Sequence, residues 1–420
     1  MKPVIEFVLV LSLIAAQSQT LPAADDWRVW RGPNGNGVAA SDQTVATQWT
    51  ETKNILWKTQ VPGRGHSSPI IFDDKIVLTT ADEQAQTQSV LCFDRQTGKP
   101  LWQTPVNQGG FPPAGEIHRN NTHATPTVAY DGERILAVFH HHGGVHLTAL
   151  SPAGKLLWKQ EAGGYVPRTY KYGYAPSPLV YGSTVIVASE YEEPGYVAAF
   201  DRQTGKEVWR IGRSRQVSYS SPIVAKVAGR EQMLLSGADK VTSYDPKNGK
   251  QLWSVPGTSL ATCGTMIWMD DIVFASGGYP KSETIAVRAD GSGTVVWKNR
   301  EKCYEQSMLV HAGHIFAVTD GGIAFCWDAQ TGAEVWKTRL NGKCSASPIL
   351  AGGNIYITNE RGTTNVFKAD PTKFESVAKN QLGDETFATM SICGNQIFLR
   401  TASSSAGGRQ ETLYCLGLSK

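Results

Sequence analysis

This 420-residue chain lacks most of the features that mark enzymes and nucleic-acid binders. It has no Lys/Arg run, and its net charge of +3 is scattered, which excludes a phosphate-backbone partner. No His-Glu-x-x-His, nucleophile elbow or phosphate-cradling glycine loop occurs. Cys-x-x-Cys-His is missing, which excludes covalent haem attachment, and no two of the seven cysteines are adjacent. No window shows the 3.6-residue apolar period of an amphipathic helix. The apolar run Val4 to Ala16 is interrupted by Glu6 and is too short to span a bilayer, so membrane insertion is not expected.

That run follows Lys2 and precedes Ala23 and Ala24, the layout of a cleaved export signal. Residues 1–24 are read as a signal peptide and 25–53 as an N-terminal extension. An exported protein of the periplasm or cell envelope is expected. The first cysteine is Cys92, so a lipid-anchored N-terminus is not expected. Cys92, Cys326 and Cys415 fall at one repeat position as small buried residues. A Cys303–Cys344 bridge competes with free buried thiols.

What the chain does have is repetition. Seven tryptophans close a recurring phrase, as in Cys92-Phe-Asp-Arg-Gln-Thr-Gly-Lys-Pro-Leu-Trp102 and Asp328-Ala-Gln-Thr-Gly-Ala-Glu-Val-Trp336. Asp-x-x-Thr-Gly is turn chemistry, and an apolar strand follows it. A second phrase of the Ser67-Ser-Pro type precedes each copy. Its third position runs Pro69, Pro126, Pro178, Pro222, Met266, Met308, Pro348 and Met390, which makes eight units. Each unit holds four short strands, the arithmetic of a propeller blade. The eighth unit runs out after Leu416 without a tryptophan strand, and the orphan strand at Asn54–Trp57 can supply it. The expected fold is an all-β, eight-bladed β-propeller of four-stranded antiparallel blades over 54–420, the last closed by the N-terminal strand.

These phrases resemble the tryptophan-docking repeats of the pyrroloquinoline-quinone (PQQ)-like propellers, which include quinoprotein alcohol dehydrogenases and BamB-like exported propellers. Trp30-Arg-Gly-Pro-Asn-Gly-Asn-Gly37 also resembles the N-terminal signature of exported bacterial members. The resemblance implies either a non-catalytic monomer recognising a protein or peptide of the envelope, or a quinone- or metal-dependent oxidoreductase. The dehydrogenase branch carries a vicinal Cys-Cys pair that this chain lacks, so no cofactor is expected. PQQ with calcium, or a His-bound transition metal, is the alternative.

Candidate sites follow from the register. The residues just before each triplet, His66, His123, Ala175, Tyr219, Cys263, Glu305, Ser345 and Phe387, are placed on the axial rim. Arg64, His66, Asn121, His123 and Glu305 are the candidate ligand or cofactor contacts there. His118, His123, His140 and His142 form a candidate zinc or copper set, with His140 and His142 on one side of a strand. The two longest inter-blade loops are rich in Tyr and Arg, a recognition composition, and Arg168, Tyr170, Tyr172 and Tyr174 are the candidate partner contacts.

Overall fold

A computed structural model describes residues 26–418, so the expected signal peptide lies outside the described residues. Eight four-stranded antiparallel sheets make the ring. Blade one comprises Ile70–Phe72, Lys75–Asp82, Thr87–Asp94 and Pro100–Gln108, each paired with the next. Blades two to seven repeat that order. Blade eight takes Ser391–Cys393, Gln396–Ser405 and Gly408–Leu416 from the C-terminal end and Ile55–Val61 from the other. Trp57 pairs with Cys415 as Trp102 pairs with Cys92, so the ring closes as the repeat count requires. Among the described residues, no helix is long and apolar enough to cross a membrane.

Burial explains the strand chemistry. A middle strand such as Thr184–Ser189 is buried along its whole length, because it is covered by blades on both sides. An outer strand such as Glu207–Gly212 alternates between exposed and half-buried residues. Each docking tryptophan reaches the next blade. Trp158 lies over Gly205 and its Nε1 donates to Arg202 O at 3.2 Å, while Trp102 donates to Pro152 O at 3.1 Å and Trp57 to Arg95 O at 3.0 Å.

The turn under Trp158 is built by Asp201, whose Oδ1 accepts from Gln203 N, Thr204 N and Thr204 Oγ1. These bonds, the Thr204 hydroxyl first, hold its carboxyl below the usual range. Gly205 then turns at φ +72°, and an added Cβ would stand 2.7 Å from the Trp158 ring. Gly205→Ala therefore meets both left-handed strain and a clash, and is expected to cost about 2 kcal/mol in urea denaturation. An unchanged midpoint would mean that the indole does not rest on this turn.

A belt of hydroxyls circles the axis one layer in. Ser68 N donates to Thr127 Oγ1 (2.9 Å), Thr127 N to Ser177 Oγ (3.0 Å) and Ser177 N to Ser221 Oγ (2.9 Å). Thr265, Ser307, Ser347 and Thr389 continue it, and Thr389 N returns to Ser68 Oγ at 3.1 Å. At the remaining step, from Ser221 to Thr265, Thr265 Oγ1 accepts from the indole of Trp30 (2.9 Å).

The belt corrects the register expected in blade two. Ile70 and Ala129 occupy equivalent positions, pairing with Val77 and Leu136, which in turn pair with Cys92 and Ala149. Thr127 is thus the counterpart of Ser68, and Pro126 stands two places before the prolines of blades one and three. Matching triplets on proline shifted this blade by two residues.

Residues 26–53 do not stand apart from the ring. Trp27 bridges to Ile71 of blade one, Arg28 O accepts from Tyr130 N of blade two, and Arg31 Nη2 donates to Met308 O near blade six. Val38 bridges to Leu350 of blade seven, and Trp49 N donates to Asn380 Oδ1. The segment therefore crosses the axis and ties blades on opposite sides. Trp27 and Trp49 are buried in the same apolar cluster as Leu399 and Leu413 of blade eight.

Candidate functional site on the channel axis

Trp30 divides the axial space. It lines a lower cavity with Pro33, Asn34, Tyr130 and Trp268, and an upper cavity of about 280 Å³ on the face where the inter-blade loops emerge. The upper cavity has a layered wall. The belt hydroxyls Ser68, Thr127, Ser177, Ser221, Ser347 and Thr389 lie deepest. Above them come His66, Thr125, Ala175, Tyr219, Cys263, Glu305, Ser345 and Phe387, one from each blade. Seven of these eight are the residues the repeat register places on the rim. The eighth is Thr125 rather than His123, as the corrected register of blade two demands.

The long loops form the mouth. Tyr172 contributes its ring to the cavity wall, and Tyr170 packs edge-on against Tyr279 of blade five, with centroids 5.4 Å apart. Tyr219 Oη donates to Tyr170 O (2.7 Å), and Lys171 pairs with Glu116 of the neighbouring loop at 2.7 Å. The loops after blades one and two thus brace each other and lean over the opening. Arg168 is exposed and bonds Glu193. Tyr174 turns inward, buried, with its hydroxyl on Ala188 O (2.8 Å), so it is a packing residue and not a surface contact.

The candidate ligand contacts separate. His66, Asn121 and Glu305 line the cavity. Arg64 does not, because its Nη2 donates to Arg119 O (3.1 Å) and Nη1 lies 3.9 Å from Glu83. His123 stacks on Phe111 at 4.2 Å, away from the axis. His66 stacks on Phe387 at 4.5 Å; burial, then Arg64, Arg400 and Arg409, holds its pKa well below the imidazole range. Asn121 is occupied, donating to Tyr172 O and accepting from Thr122 N at 2.8 Å.

The four histidines do not converge. His118 meets Tyr172 edge-on, and His140 is held against Tyr165 at 5.0 Å, with burial depressing its pKa to about 4. His142 sits in the hairpin turn at φ +49° and packs over Gly110, so strand alternation does not carry it to the side of His140. Among the described residues, no group of three His, Cys, Asp or Glu side chains has metal-holding geometry. Cys303 and Cys344 are both free thiols and form no bridge.

Glu305 differs from these. Burial, reinforced by Glu360 and Asp320, pushes its pKa up, against the opposing effects of the Ser345 hydroxyl and Lys343. The Ser345 hydroxyl between the carboxyls donates to Glu360 Oε1 at 2.9 Å. A carboxyl whose folded pKa is raised binds a proton more readily than in the unfolded chain, so its contribution to stability falls as pH rises through that range. Glu305→Gln is expected to raise the melting temperature at neutral pH, with the gain vanishing below the ordinary carboxyl pKa of 4.5. A pH-independent difference would remove Glu305 as its cause.

A PQQ site fits these residues poorly. The quinone is a tricarboxylate, yet among the described residues no Lys or Arg lines the cavity, and one carboxylate beside a committed Asn falls short of the six to eight oxygens that calcium takes.

The fold and its loop-covered axial cavity define an eight-bladed PQQ-like propeller. The chain belongs to the family whose model is described as "Outer membrane protein assembly factor BamB", matched over residues 86–280 and 281–373. BamB of Burkholderia pseudomallei (strain K96243) is 25% identical over 87% of this chain and 91% of its own. Among solved structures, BamB from Moraxella catarrhalis has a TM-score of 0.60 at 15% identity, covering 86% of this chain and 96% of its own. A europium-containing methanol dehydrogenase has 0.68 at 12%, covering 94% and 98%.

Proposed function

We propose that this protein is a non-catalytic propeller of the cell envelope that recognises a protein partner of the outer-membrane protein assembly machinery through its loop-covered face. The family match over most of the ring carries the reading. Two features support it: the braced loops present exposed Arg168 and half-buried Tyr170 on a rigid scaffold, and the cavity suits the dehydrogenase cofactor poorly.

The test is a binding titration of the purified protein against the assembly components of its own host. Replacing Arg168 and Tyr170 together by Ala is expected to weaken binding about tenfold with no loss of thermal stability. Undiminished binding would take the partner off this face, and a fall in melting temperature would make the loop a packing element.

A further inference from the structure

The upper cavity has an unbalanced chemistry. Among the described residues Glu305 is its only acidic lining residue, and no Lys or Arg joins it there. The two lining histidines, His66 and His118, are both held below the ordinary imidazole range, chiefly by burial, and are neutral at neutral pH. The rest of the wall is mostly aromatic or hydroxylic, with Asn120, Asn121, Ala175 and Cys263 among it. Trp30 forms the floor, with Tyr172, Tyr219 and Tyr304 at the sides and Tyr279 at the mouth.

Glu305 has no basic nitrogen within ion-pair distance among the described residues, whereas nearby Asp320 has Lys302 at 3.5 Å. The Ser345 hydroxyl donates to Glu360 and also favours the charged form of Glu305. A carboxylate among π faces, with hydroxyl oxygens below, is complementary to an ammonium or guanidinium group, which ring faces attract and oxygens accept hydrogen bonds from. A bare metal ion is a poor match, because Glu305 is the only carboxylate among the cavity's described lining residues and Asn121 is already committed.

We propose that the upper axial cavity is a binding site for an organic cation, with Glu305 as the counter-charge and Trp30, Tyr172, Tyr219 and Tyr304 as the aromatic wall. A cavity of about 280 Å³ admits an alkylammonium group or one basic side chain, not a folded segment. The cation is either a free amine or the Lys or Arg side chain of a bound polypeptide. The site stands on the cavity alone and does not depend on recognition by the outer loops.

Isothermal titration of the whole mature protein with three probes tests it: n-pentylamine, Nα-acetyl-lysine amide, and n-pentanol as the neutral isostere. Saturable binding of either amine, at least tenfold tighter than the alcohol, is expected. Binding of the capped lysine identifies a side-chain source, and binding of pentylamine alone a free amine. Glu305→Gln is expected to weaken the amine at least tenfold while keeping or raising the melting temperature, which separates lost contact from lost fold. Tyr304→Phe, which keeps the ring, is expected to bind normally, and Tyr304→Leu several-fold more weakly. Equal affinity for amine and alcohol, no saturable binding, or undiminished binding by Glu305→Gln would each overturn the proposal. None of these results bears on whether Arg168 and Tyr170 contact a protein.

Discussion

Glu411→Gln is expected to destabilise the protein by about 3–5 kcal/mol, measured as a shift in urea midpoint at constant slope. Glu411 is 1% exposed and lies between two arginines: Oε2 accepts from Arg400 Nε at 2.7 Å and Oε1 from Arg409 Nη1 at 2.8 Å. Oε1 also accepts from Gly65 N (3.1 Å), at the entry to blade one. Arg400, 2% exposed, reaches across the same seam to Thr79 O (2.8 Å) and Ser67 Oγ (3.1 Å). Glutamine fits the space but leaves a buried guanidinium without its counter-charge. The control is Arg288→Ala, which breaks a 2.6 Å pair with Asp271 whose partners are each about 40% exposed; that is expected to cost no more than about 1 kcal/mol. If the two substitutions cost the same, the buried pair does not secure the seam.

Trp27→Ala should cost about 3–5 kcal/mol as well, although Trp27 belongs to no blade. Its ring, 2% exposed, lies over Gly32, where the chain turns at φ +83°. Its backbone exchanges two hydrogen bonds with Ile71, at 2.7 and 2.9 Å. Losing the ring would leave a void beside Ile71 and loosen the segment that carries Trp30 across the axis. The check is the same denaturation experiment. A cost under about 1 kcal/mol would mean that residues 26–53 are an appendage rather than part of the core.

The ring was legible because each blade states its own turn: Asp-x-x-Thr-Gly places the bend, and a tryptophan follows at a fixed distance. The axial rim was legible through the same register, apart from blade two. There the inner hairpin has a four-residue loop, Asp131 to Arg134, and Pro126 stands where blade one has Ser67, so proline was a false anchor. The role of Trp30 left no trace in the repeat, because it lies outside the blades and its indole bonds Thr265, 235 positions away. Tyr172 and Tyr174 sit two apart in a loop of one composition, yet one faces the cavity and the other the core. Composition alone does not carry that difference, which is set by the hydroxyl acceptor at Ala188. The metal expectation rested on strand alternation through His142, and the turn at that residue ends the alternation.

The shared eighth blade also sets a schedule. Gln410 bonds the backbone of Val61 across 349 residues of sequence, and the strands on either side of that bond are the last and the first to be made. Contacts of such separation are costly to form early, because the loop between them must be closed first. The first strand has no sheet to join until the far end of the chain arrives. Closure of the ring therefore waits for Gly408–Leu416, however early the other blades form.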